Sequence, residues 1–273
     1  LEDERGVAVV DPGMPGRESF HALESRLKDM GIPLRRVHSV LVTHSHPDHY
    51  GGAGRLRKDF GAEIEHEKYE IFKVKGQQKY KARNYQIEGD WSGAAFHLVA
   101  AAIAGNVELK GMTITSLQAD RAILSALEKS GAQIKYSEEA IHIAKAPLTA
   151  FDFDATHCPD LFPPLVVLAA SCKGETRIKG VTRLYHKESN RALVLQKEMG
   201  KIGIQILIEG DLMKIKGGKI RGGKMHSNND HRIAMAAAVA ALLAEEPVEI
   251  ENAEAIEKSY PAFFKDFEGL CVN

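Results

Sequence analysis

The chain has 273 residues, enough to bury one or two cores, and its 36 basic and 37 acidic side chains nearly cancel. That balance argues against a nucleic-acid binder or a membrane-surface protein. The longest apolar run, Ile233 to Ala244, is too short to cross a bilayer, no signal-peptide pattern opens the sequence, and three cysteines (Cys158, Cys172, Cys271) without metal-type spacing fit a reducing cytoplasm.

Val7 to Val10 reads as a strand ended by the turn signal Asp11-Pro12-Gly13. Arg17 to Met30 places Phe20, Leu23 and Leu27 at helical spacing, with Gly31 as the stop. Val37 to Val42 is a second strand, and it leads into Thr43-His44-Ser45-His46-Pro47-Asp48-His49-Tyr50-Gly51-Gly52. Three imidazoles and a carboxylate within six residues are donors that a divalent ion such as zinc takes. A helix at residues 53–60 and a strand at 62–64 complete a βαβαβ pattern.

This motif resembles that of the metallo-β-lactamase superfamily, over residues 5–64. The resemblance implies that His44 and His46 serve one metal and Asp48 and His49 a second. The further ligands such a centre takes from later strands have no recognisable counterpart. Cation usage also shifts: seven Arg and two Lys precede residue 64, against seven Arg and twenty Lys from there on. The two observations together predict a joint, with residues 1–65 as one domain and 66–273 as another.

From Glu88 the chain repeats every 70 residues. Asp90, Asp160 and Asp230 each precede an Ala-rich apolar helix, at 92–104, 161–171 and 231–244. A short alternating strand follows each helix, at 107–110, 176–179 and 248–251. Arg121 and Arg191 open second helices in the same register, closed by Gly131 and Gly203, and paired strands follow at 133–136 with 140–143 and at 204–208 with 212–215. The third copy is truncated, its second helix starting near Pro261. The fold class is thus α/β. Three βαβαββ units would bury an amphipathic stripe of each Ala-rich helix inside a shell of sheets. Asp90 and Asp230 read as N-caps.

Charged motifs gather at the helix starts. His186-Lys187-Glu188-Ser189-Asn190-Arg191 sets two cations beside a carboxylate. Asn229-Asp230-His231-Arg232 and Lys258-Ser259-Tyr260-Pro261 add further cations. With Glu88-Gly89-Asp90-Trp91-Ser92-Gly93-Ala94 and His157-Cys158-Pro159-Asp160, these motifs resemble the EPSP synthase family, from about residue 66 onward. The resemblance implies an inside-out α/β domain and a transferase reaction between phosphoenolpyruvate and shikimate 3-phosphate, with no cofactor.

By motif, Asp160 and Glu188 would be the acid/base carboxylates with His231 beside them, Lys187 would contact phosphoshikimate, and Arg191, Arg232 and Lys258 would hold phosphoenolpyruvate. Two departures stand out: Asn190 where the family has Asp, and Trp91-Ser92-Gly93 where it has a small residue and two serines. UDP-N-acetylglucosamine enolpyruvyl transferases share the fold, but the Lys187–Arg191 and Asn229–Arg232 motifs favour the shikimate enzyme. In the family the site lies in a cleft between two similar domains. The expectation is therefore an incomplete enolpyruvyl transferase domain fused, by engineering or recombination, to a metallohydrolase fragment, with only weak binding of its substrates. A zinc-dependent hydrolase and a non-catalytic scaffold are the alternatives.

Overall fold

The structure, a computed structural model, describes residues 2–3, 6–10, 17–41, 65–67, 71–73, 87–137, 139–185 and 187–270. His44, His46, Asp48 and His49, the expected helix at 53–60 and the expected strand at 62–64 lie outside the described residues, as do His186 and Cys271. The chain divides into two units, Leu1–Tyr85 and Gln86–Asn273.

In the first unit, β1 (Glu2–Asp3) pairs with β2 (Gly6–Val10), and helix α1 (Arg17–Asp29) crosses from β2 to a parallel β3 (Val37–Leu41). Phe20 and Leu27 on one face of α1 bury against Val7, Val37 and Val40, the helical spacing read from sequence. Gly31 ends the helix region at φ 72°, a left-handed conformation that costs a side chain and suits glycine. Two short antiparallel strands, β4 (Glu65–Glu67) and β5 (Ile71–Lys73), extend the sheet in the order β1-β2-β3-β5-β4. They were not expected, because three residues are too few to show an alternation.

The second unit is built on three helices: α2 (Trp91–Ala104), α4 (Phe162–Ser171) and α6 (His231–Ala241). All three pack against one another. They are not amphipathic, as the sequence reading supposed. Trp91, Ala95, Phe96, Leu98, Phe162, Leu165, Val166, Ile233 and Ala236 are fully buried, and burial runs around each helix. A helix apolar on all faces belongs at the centre of a domain, and alanine lets backbones approach closely.

Sheets cover this bundle. One has the antiparallel order β6-β8-β7 (Asn106–Lys110, Ala140–Ala144, Gln133–Tyr136). A second has the order β11-β12-β10-β9 (Gln205–Glu209, Leu212–Lys216, Glu175–Lys179, Asp152–Asp154). A parallel pair, β13 (Gly223–His226) and β14 (Val248–Glu251), is the third. Along β10, Thr176 and Ile178 turn inward while Glu175, Arg177 and Lys179 face solvent. The second helices are the amphipathic ones: α3 (Ile123–Ser130), α5 (Arg191–Lys201) and α7 (Phe263–Leu270). Gly131 closes α3 at φ 87° with its N–H bonded to Leu127 and Glu128 carbonyls. The element order of the first two copies therefore matches the 70-residue register, with short 3₁₀ turns added ahead of α3, α4 and α5.

Candidate functional site

Two of the three repeated aspartates cap helices and the third does not. Asp90 caps α2, accepting from the N–H groups of Ser92 (3.1 Å) and Gly93 (2.9 Å). Asp230 caps α6 through the Arg232 N–H at 3.1 Å. Asp160 caps nothing. It lies in the 3₁₀ turn Pro159–Leu161, and α4 opens Phe162-Pro163-Pro164. At the spacing by which Asp90 and Asp230 cap, two and three residues on, Asp160 would find Phe162, whose N–H already donates to the Pro159 carbonyl, and Pro163, which has none. The Asp160 carboxylate is left for side-chain partners.

Those partners are cations. Asp160 Oδ1 accepts from Arg191 Nη1 at 2.7 Å and lies 3.2 Å from Lys187 Nζ. Its Oδ2 accepts from Arg232 Nη2 at 3.4 Å. Arg191 starts α5, where Asn190 is the N-cap and accepts from the Leu193 N–H at 3.3 Å. The Arg191 side chain is wholly buried and held on all sides. Nε donates to Asp230 Oδ2 at 2.9 Å, Nη2 donates to Asp230 Oδ1 at 3.2 Å, and Nη2 also donates to Glu188. Ser189 Oγ adds a bond to Asp230 Oδ2 at 3.1 Å. Asp160, Glu188 and Asp230 thus face Lys187, Arg191 and Arg232, three charges against three.

Burial works against charge on Asp160, but Arg232, Arg191 and Lys187 outweigh it and hold the carboxyl well below its usual range. His231, the first residue of α6, has its proton affinity pushed down mainly by burial and then by Arg232, and neither ring nitrogen has a hydrogen-bond partner among the described residues. Lys258 ends the 3₁₀ turn Ala253–Lys258 and donates to the Asn229 carbonyl at 2.8 Å, next to the α6 cap. The structure therefore links Asp160, Lys187, Glu188, Arg191 and Arg232 in one network, seats His231 beside it and ties Lys258 to the same helix start.

The EPSP synthase (3-phosphoshikimate 1-carboxyvinyltransferase) family model matches residues 54–267. The chain belongs to the EPSP synthase family. It is 44% identical over 212 residues to the 3-phosphoshikimate 1-carboxyvinyltransferase of Clostridium novyi, covering 77% of this chain and 49% of that protein. To the protein of the same name from Clostridium acetobutylicum it is 43% identical over 216 residues, 79% of this chain and 50% of the other. The chain spans about half the length of these curated relatives. A solved EPSP synthase from Acinetobacter baumannii superposes with a TM-score of 0.68 at 26% identity, over 96% of this chain and 61% of that one.

These matches change the reading of the N-terminal segment. The EPSP synthase match begins at residue 54, inside the stretch read as metallo-β-lactamase-like, and the structural likeness covers nearly the whole chain. They give no support to a metallo-β-lactamase segment, a joint or an engineered origin. Among the described residues no group of three or more His, Cys, Asp or Glu side chains could hold a metal ion, and no helix is long and apolar enough to cross a membrane.

Within the EPSP synthase family frame, the Asn190 departure has a plain account, since Asn caps a helix as well as Asp does. Two residues escaped the sequence reading. Asp230, read as a cap, is also the largest contributor to the clamp on Arg191. Asp120, buried beside the network, accepts a bond from Ser92 Oγ. The repeat held a signal for Asp120, which stands 70 residues before Asn190 and one before Arg121, the counterpart of Arg191. The copies have diverged, however. Among the described residues Arg121 donates to a carbonyl, that of Ile114 at 2.7 Å, while Arg191 is the centre of an ion network.

Proposed function

We propose that this chain carries acid/base and anion-binding residues for enolpyruvyl transfer from phosphoenolpyruvate to shikimate 3-phosphate with release of phosphate. The observation that carries the reading is Asp160, a carboxylate without a capping role, bonded at once by Lys187, Arg191 and Arg232. In this reaction a hydroxyl loses a proton and bonds to the enol carbon bearing phosphate, while the methylene carbon gains a proton. Loss of phosphate and a methyl proton then restores the double bond. The site must neutralise a carboxylate and phosphates, and it must offer carboxylates for the proton transfers.

The geometry suggests a division of labour. Arg191, saturated by three carboxylates, is a fixed frame. Lys187 and Arg232 each hold Asp160 by one longer contact, 3.2 Å and 3.4 Å, and are the cations an incoming anion can recruit. Their departure would raise the proton affinity of Asp160 as the substrate arrives. Glu188 keeps over a third of its side-chain surface exposed and is the second proton-transfer group. His231 would donate to an anion, and Lys258 would bind the phosphoenolpyruvate carboxylate or phosphate.

Shikimate 3-phosphate should raise the unfolding temperature of the purified chain at millimolar concentration, by mass action on the folded state. Shikimate without the phosphate should not. An equal shift with both, or none with either, contradicts the proposal. A second reading rests on the sequence motif alone: His44, His46, Asp48 and His49 take up zinc. Elemental analysis after dialysis tests it, and zinc retained equally by wild type and His46→Ala contradicts it.

A further inference from the structure

Residues 116–120 run alongside residues 88–92, and alternate side chains engage them in order. Ser116 Oγ donates to Glu88 at 2.9 Å. Gln118 donates to the Gly89 carbonyl and accepts from the Trp91 N–H, both at 2.9 Å. Asp120 accepts from Ser92 Oγ. This ladder fixes the entry to α2. The first two rungs explain themselves as structure. The third does not need a charge, because an amide oxygen would hold the Ser92 hydroxyl equally well, and burying a carboxylate is costly.

The surroundings of Asp120 make the charge more conspicuous. Ser92 and Asp90 face it from the start of α2, Asp160 and the Cys158 thiol from the turn before α4, and Arg232 from α6. Burial pushes its carboxyl up, with Asp160 and Asp90 adding to the effect, while the Ser92 hydroxyl and Arg232 oppose it. Arg232 is the one cation among these groups, and Asp160 shares it.

We propose that Asp120 is a positioning residue of the transferase site, holding the Ser92 hydroxyl at the mouth of α2 and taking a proton from solvent when an anionic ligand draws Arg232 to itself. The inference rests on the reading under Proposed function. An anion that engages Arg232 leaves Asp120 facing Asp160, Asp90 and new negative charge, so protonation becomes the cheaper state. The protonated carboxyl no longer needs the Ser92 proton, and that hydroxyl is released to the ligand.

The test is titration calorimetry of the full chain with shikimate 3-phosphate, in two buffers of different ionisation enthalpy, at several pH values between 4 and 7. The difference in apparent heat counts the protons taken up. Asp160 and His231 respond to the same anion, so the comparison of variants is the readout. Asp120→Asn should lower proton uptake by a resolvable fraction of one proton per ligand bound. Ser92→Ala, which removes the bond that favours the ionised form, should move the pH of maximal uptake upward. Uptake unchanged in Asp120→Asn overturns the inference, as does an unchanged pH profile in Ser92→Ala should the first variant fail to fold. If the wild-type chain binds no shikimate 3-phosphate, the functional reading falls and takes this inference with it. Binding with unaltered proton counts removes the inference alone.

Discussion

Asp160 and Asp230 grip one guanidinium from two sides: Arg191 gives Nη1 to Asp160 at 2.7 Å and Nε to Asp230 at 2.9 Å. The two aspartates occupy the same place in successive copies of the repeat, yet one caps a helix and the other does not. The 3₁₀ turn Pro159–Leu161 and Pro163 are the cause: the turn takes up the Phe162 N–H through the Pro159 carbonyl and Pro163 offers none, which leaves one repeated carboxylate to Lys187, Arg191 and Arg232.

Replacing Arg191 by Met should cost about 3–5 kcal/mol, because the wholly buried Asp230 would lose its counter-charge. Arg191→Lys should recover only part, since one ammonium cannot reach Asp160 and Asp230 along two edges. Urea unfolding monitored by circular dichroism measures both. A loss below about 1 kcal/mol for Arg191→Met would show that the clamp is not stabilising.

Stability should fall with acid in two stages. His231 binds a proton less readily when folded, so its contribution is complete above its ordinary value of 6.5 and is lost as pH falls below it. Asp160 is likewise depressed, so its contribution is complete above 3.8 and is lost below that. His231→Gln should shrink the first stage, which His97, also pushed down by burial, shares, and Asp160→Asn should shrink the second, in thermal melts taken across the range. Melts with the wild-type pH dependence in both variants would contradict these assignments.

Two adjacent glycines should respond in opposite ways. A Cβ on Gly217 would overlap the Cys172 carbonyl oxygen, whereas one on Gly218 would meet nothing within 4 Å. Gly217→Ala should cost about 1–3 kcal/mol as the backbone shifts. Gly218→Ala should be neutral or stabilising by up to about 1 kcal/mol, through the unfolded chain. Equal melting temperatures for the two variants would show that the β12 exit loop yields freely.

Much of this was legible in the sequence, and the failures have physical causes. The recurring aspartates and Ala-rich runs announced three copies, and Gly31 and Gly131 marked helix ends because their left-handed backbone favours glycine. The all-round burial of α2, α4 and α6 was missed because Ala counts as weakly apolar in any periodicity. Asp120 was missed because its partner Ser92 lies 28 residues away and no local pattern joins them. The His44–His49 motif drew a family reading that the match from residue 54 does not support. A short motif specifies donors, but a fold is specified by the run of sequence around it.

The cations around Asp160 are either an anion site or only a structural ion network, and titration calorimetry with shikimate 3-phosphate separates the two. Lys187→Ala and Arg232→Ala should each weaken binding at least about tenfold, or about 1.4 kcal/mol, while the folded chain retains its circular dichroism spectrum. Wild-type affinity in both variants would contradict the account, since a phosphate bound without either cation must sit elsewhere on the molecule.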